Sequence, residues 1–156
     1  MAESGLKSST VSANDYDQAQ EYFYAQGMTD GLPIVPPTAE RVVAMVEASG
    51  RNANDSLGQV HPAVAEATIE KVAVNAVMAG CLPEYMPVVA AAVEAMVEER
   101  FYLYAIQTTT NSAGVGIVVN GPVRHTIEMN CDSGCLGPGN RANASIGRAI
   151  RFVLLN

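Results

Sequence analysis

Tryptophan is absent from this sequence, and its 156 residues include only 3 cysteines and 3 phenylalanines. Three cysteines cannot build the disulfide framework of a small exported fold, so the core has to come from apolar packing. With 49% apolar residues the chain is long enough for that. Charge is also scarce, at 16%, and acidic in balance: 9 basic against 16 acidic side chains, a net charge of −7. Such a balance argues against nucleic acid as a partner, because affinity there comes from neutralising phosphates. No apolar run approaches the roughly 20 residues of a membrane span. The serine-rich stretch from Met1 to Asn14 has one lysine and no hydrophobic segment, so it does not read as a secretory signal. These absences predict a reduced, cytoplasmic protein with a mobile tail over residues 1–14 and one domain over residues 15–156. In that setting the Asn54-Asp55-Ser56 and Asn143-Ala144-Ser145 sequons carry no meaning.

The apolar share is mainly alanine and valine, which predicts helices packed closely on a sheet. Asn14-Asp15 caps a helix from about Tyr16 to Gln26, closed by Gly27. The prolines of Thr29 to Thr38 forbid a central strand, leaving an edge strand or an extended segment. Thr38 then caps a helix over Ala39 to Ala48 with Val42, Val43, Met45 and Val46 inward, and Ser49-Gly50 closes it. Arg51 to Pro62 reads as a polar loop, and Ala63 to Ala79 as a long alanine-rich helix. After the break at Gly80-Cys81-Leu82-Pro83 another helix runs to Glu99. Phe101 to Ile106 and Val115 to Val119 read as strands, with Val123 to Met129 a candidate third. The last helix, Asn140 to Leu155, turns Ala142, Ile146, Ala149, Ile150 and Val153 to one side. The expected fold is α/β: a sheet of three or four strands covered by four or five helices. The closing apolar run Phe152 to Leu155 suggests docking on a second polypeptide, the alternative being this chain's own core.

Charge is distributed unevenly, which points to a site. Residues 1–123 hold 5 basic and 14 acidic side chains, a balance of −9, whereas residues 124–156 hold 4 arginines against Glu128 and Asp132, a balance of +2. A positive pole on an acidic chain suits a small anion. In the same region a thiol-bearing loop, Asn130-Cys131-Asp132-Ser133-Gly134-Cys135, leads through Gly137-Pro138-Gly139 to Asn140 at a helix start. Free N–H groups there, with Arg141 and Arg148 beside them, could hold a carboxylate or phosphate. Ordinary capping would use the same residues. The pattern is neither a P-loop nor a dinucleotide fingerprint.

Cys131 and Cys135 admit three readings: reactive thiols favoured by the helix start and the arginines, ligands of a metal shared with Cys81, His125 or His61, or inert buried thiols. Glu70, Lys71 and Asn75 read as the wet side of an amphipathic helix rather than a buried acid–base group. Glu84 and Tyr85 suit a pocket rim. The loop Thr108 to Ser112, with Thr109 and Asn111, offers ligand-binding hydroxyl and amide groups after a strand end, although a plain polar turn looks the same.

Three long segments carry a resemblance: Thr29 to Thr38, Val74 to Tyr85 and Leu136 to Arg148. Together they resemble a poorly characterised bacterial family that occurs beside, or fused to, thiol or selenol proteins with a Cys(or Sec)-Gly-Ser-Cys motif. The likeness covers about residues 28–156, with Cys131-Asp132-Ser133-Gly134-Cys135 differing from that motif in order and spacing. It implies one subunit of a split assembly, with a second protein subunit as partner. The leading expectation is a subunit of a cytoplasmic heteromeric enzyme acting on a small anionic metabolite. There Cys131 or Cys135 supplies thiol chemistry, and Asn140, Arg141, Arg148, Thr109 and Asn111 bind the substrate. The alternatives are a non-catalytic structural or regulatory partner, and a lyase or hydratase subunit with its metal at the subunit interface. No cofactor is indicated.

Overall fold

The computed structural model describes residues 5–156. Among them the helices are α1 (Tyr16–Ala25), α2 (Ala39–Ser49), α3 (Ile69–Met78), α4 (Met86–Val97), α5 (Leu103–Thr108), α6 (Val123–Thr126) and α7 (Arg141–Leu155). Short 3-10 turns occupy Pro83–Tyr85 and Glu99–Phe101. The only sheet among the described residues is an antiparallel pair, β1 (Ser56–Val60) and β2 (Ala65–Thr68). The chain forms one domain, mostly helical with a minor β component. The expected sheet of three or four strands is therefore a two-stranded one, and helices take the place of most of the expected strands.

The fold assembles around α7, whose packing against α3 is the most extensive between helices. Ala142, Ile146, Ala149, Ile150 and Val153 are all buried, as their spacing predicts, and Phe152 joins them fully enclosed. Burying each large side chain of this kind contributes roughly 1.5–3 kcal/mol. The apolar run Phe152 to Leu155 thus packs mostly into this chain's own core, with Leu155 exposed at 40%. Helix α3 is buried on nearly every side, because α2, α4 and α7 all pack against it. Of the residues expected inward on α2, Val42 and Met45 are buried, while Val43 and Val46 are half-buried.

Three corrections have local causes. The segment read as a loop and a long helix, Arg51 to Ala79, is instead the β1–β2 hairpin followed by α3. Alanine-rich β2 has the composition of a helix, yet Thr68 is extended and its side chain accepts from Lys71 N–H, so the helix starts only at Ile69. Opposite it, Gly58 (φ 125°) lies so close to α4 that a Cβ there would come within 2.7 Å of Val97. Phe101 to Ile106, an apolar run of ambiguous period, becomes a 3-10 turn and α5, with Tyr102 left-handed (φ 55°) between them. Val123 to Met129 begins as α6, for which Pro122 supplies a helical φ of −60°. Val115 to Val119, expected as a strand, has no regular secondary structure and joins no sheet.

Residues 1–4 of the expected tail lie outside the described residues. From Gly5 the segment lies on the body: Leu6 packs against the core, and the N–H groups of Lys7 and Ser8 donate to the Glu70 carboxylate. Helix α1 has no buried residue and is tied down by polar contacts, Tyr16 O–H to Ile34 C=O and Ile34 N–H to Gln20 Oε1. Thr29 to Leu32 bends, with Gly31 left-handed (φ 88°), and Pro33 to Thr38 follows without joining a sheet, consistent with its prolines. No helix among the described residues is long and apolar enough to cross a membrane.

Candidate functional site

Three asparagines build the loop that precedes α7. Asn140 is the N-cap: its Oδ1 accepts from Asn143 N–H at 3.0 Å, and its Nδ2 donates to Glu128 C=O at 2.8 Å. Asn143, one turn into the helix, points back at the loop. Its Oδ1 accepts from Asn130 N–H, and its Nδ2 donates to the carbonyls of Asn130 and Cys135, each at 2.9 Å. Asn130 closes the set by accepting from Asp132 N–H and donating to Ser133 C=O. The loop is thereby pinned at both ends to the first turn of α7, and its cysteines are held at defined places on the surface.

Between loop and helix lies an open depression of about 470 Å³, lined by Glu128, Asn130, Ser133, Gly134, Gly139 and Asn140 among others. Glu128 on its rim has φ 53°, a left-handed backbone that is costly for a residue with a Cβ. Tyr85, expected on a pocket rim, is instead a core residue and does not line this depression. Burial raises its pKa, Glu84, Cys81 and Glu128 push the same way, and Arg141 opposes them. Arg141 is itself exposed.

The three thiols differ in setting. Cys131 is exposed, and Arg124 Nη1 donates to its Sγ at 3.0 Å. Arg124 is placed by α6 and by the turn that Met129 N–H closes on the Arg124 carbonyl. A guanidinium has five N–H donors, and the others of Arg124 find no acceptor among the described residues. Cys135 is half-buried and its carbonyl is held by Asn143. Cys81, beneath α7, is 7% exposed, and burial pushes its thiol up to about 11 against smaller opposing effects of Ser145 and Arg141. It stays a protonated core residue at neutral pH. Among the described residues no three His, Cys, Asp or Glu side chains gather around a point where a metal could sit.

The other expected site residues are dispersed. Arg148 is bound by Asp30 through Nε and Nη2, both at 2.8 Å, donates further to the carbonyls of Leu32 and Pro33, and lies over the Phe152 ring. The Arg148 hydrogen bond is the main reason that the Asp30 pKa lies below its usual value. Arg148 thus ties the Thr29 to Thr38 segment to α7, and its charge is matched there. Thr109 and Asn111 lie in an exposed turn after α5, where Asn111 N–H donates to Thr109 Oγ1. A second cavity of about 380 Å³, lined by Ile106, Gln107, Ala113, Ile117, Gly147 and Arg151 among others, includes neither of them and none of the thiol loop.

The set Glu70, Lys71 and Asn75 divides. Glu70 and Asn75 are buried at 3% and 8% and only Lys71 faces solvent, so the expected wet side is largely an interior one. Burial raises the Glu70 pKa, but hydrogen bonds from Ser8 and Lys7 outweigh it and leave the carboxyl below its usual value. Asn75 donates to Lys71 C=O and accepts from the Asn156 amide. Both are structural contacts.

Arg124 and the Asn130–Asn143 lock were not among the residues expected from the sequence. Only Asn143 left a trace, as a poor helix former placed in the first turn of a helix. Compared with protein-family models, with curated proteins and with solved structures, the chain matches none of them.

Proposed function

We propose that this chain is one subunit of a cytoplasmic enzyme acting on a small anionic metabolite, with Cys131 as its thiol and Arg124 as the group that meets the anion. The contact between Arg124 Nη1 and Cys131 Sγ at an exposed loop carries the reading. It puts a nucleophilic atom and a planar cation with unused donors side by side, while the open depression is lined by the loop residues Asn130, Ser133 and Gly134 rather than by the pair itself. Arg141 and the first N–H groups of α7 are a second source of positive potential. The Asn143 lock fixes the loop in advance, as a binding site requires. Arg148, Thr109 and Asn111 have no part in this reading: Arg148 is matched by Asp30, and the other two lie in an exposed turn after α5. The resemblance of the three long segments to proteins found beside thiol or selenol partners supports a subunit role.

Titration with phosphate and with acetate, followed by backbone amide chemical shifts, tests the proposal. Saturable shifts confined to residues 124–142 are expected, and they should vanish in Arg124→Gln. Shifts scattered over all surface arginines, or none at millimolar anion, would contradict it. The lyase or hydratase alternative needs metal ligands from another chain. A non-catalytic partner role draws support from exposed apolar side chains such as Val118 (85%) and Leu136 (101%).

A further inference from the structure

The segment from Gly114 to Asn120 has the burial pattern of a β-strand without a pairing partner. Its burial alternates with period two: Val115, Ile117 and Val119 are half-buried, while Gly114, Gly116, Val118 and Asn120 face out. Val115 and Ile117 rest against the core. Yet among the described residues no backbone N–H or C=O from Gly114 to Gly121 has a hydrogen-bond partner, and the strand belongs to no sheet. Exposed strands are normally protected by charges, prolines or bulges. Here no charged side chain occurs from Thr108 to Val123, and the one proline of that stretch, Pro122, stands beyond the strand.

We propose that this strand pairs antiparallel with the same strand of a second copy of the chain, forming a two-fold dimer. The strand is complementary to itself. With Ile117 on the two-fold axis, Val115 faces Val119 of the other copy on the inner side, and Val118 faces Gly116 on the outer side. Val118 is 85% exposed, and a Cβ at Gly116 would meet nothing within 4 Å, so a projecting group meets an open one. The absence of charge removes like-charge repulsion along the line of contact, and a two-fold pairing satisfies both strands with one surface. This inference does not depend on the thiol reading.

Sedimentation velocity across a concentration series, with amide hydrogen exchange on the same samples, tests it. The expected result is a species of twice 16.4 kDa at high concentration, with the Gly114–Asn120 amides protected in the dimer and fast in the dilute monomer. Val118→Lys, an exposed change that leaves the monomer folded, should abolish both. A monomer at every concentration would overturn the proposal. So would a dimer whose strand amides stay fast, protection in a monomer, or protection gained only from a different polypeptide.

Discussion

Truncating Asn143 to alanine removes one acceptor and two donors that hold the Asn130–Cys135 loop on α7. Leaving these partly buried groups unpaired costs on the order of 1–3 kcal/mol. Urea unfolding should show a loss of about 2 kcal/mol for Asn143→Ala, with hydrogen exchange rising first over residues 128–140. If stability and loop protection are unchanged, the lock is not what orders the site. At this scale little was legible. A helix N-cap at Asn140 follows from residue type and position, but the roles of Asn143 and Arg124 depend on where the chain turns back. Arg124 and Cys131 meet only because α6 and the turn through Met129 bend the chain between them. Arg148 shows the converse, since a cation on a polar helix face gives no sign that Asp30, 118 residues away, will match its charge.

Among the elements, the β1–β2 hairpin depends on a residue without a side chain. At Gly58 both the backbone (φ 125°) and the Val97 methyl exclude a Cβ. Gly58→Ala should therefore destabilise by roughly 2 kcal/mol, as overpacking and strain together do, seen as a lower thermal midpoint; an unchanged midpoint would show that α4 yields freely. Helices with strong apolar periods, α2 and α7 above all, were legible from sequence nearly to the residue. The hairpin was not, because Ala65 to Thr68 has the composition of the helix that follows it. Nor was α5: an all-apolar run such as Phe101 to Ile106 has no period to separate helix from strand, and its backbone is decided by tertiary contacts.

For the whole molecule, the Glu70 carboxylate holds the N-terminal segment to α3, and its pKa lies below the usual value of 4.5. A carboxyl depressed in the folded state stabilises above its unfolded pKa, and that contribution fades as pH falls through the lower folded value. Acid should therefore release residues 5–14 before the body unfolds. In Glu70→Gln the segment should already be exchange-labile at pH 7, with part of the acid sensitivity gone; a segment still protected would contradict this. The charge division between residues 1–123 and 124–156 was plain in the sequence. Which arginine faces the thiol was not.

Site-resolved alkylation of the native protein, with each cysteine quantified by mass spectrometry over time, reads the pairing of Cys131 with Arg124. Cys131 should react first, Cys81 should resist until the protein unfolds, and Arg124→Gln should slow Cys131 several-fold at neutral pH. If Cys131 reacts no faster than Cys135, at a rate indifferent to Arg124, the thiol and its neighbouring cation are not a functional pair.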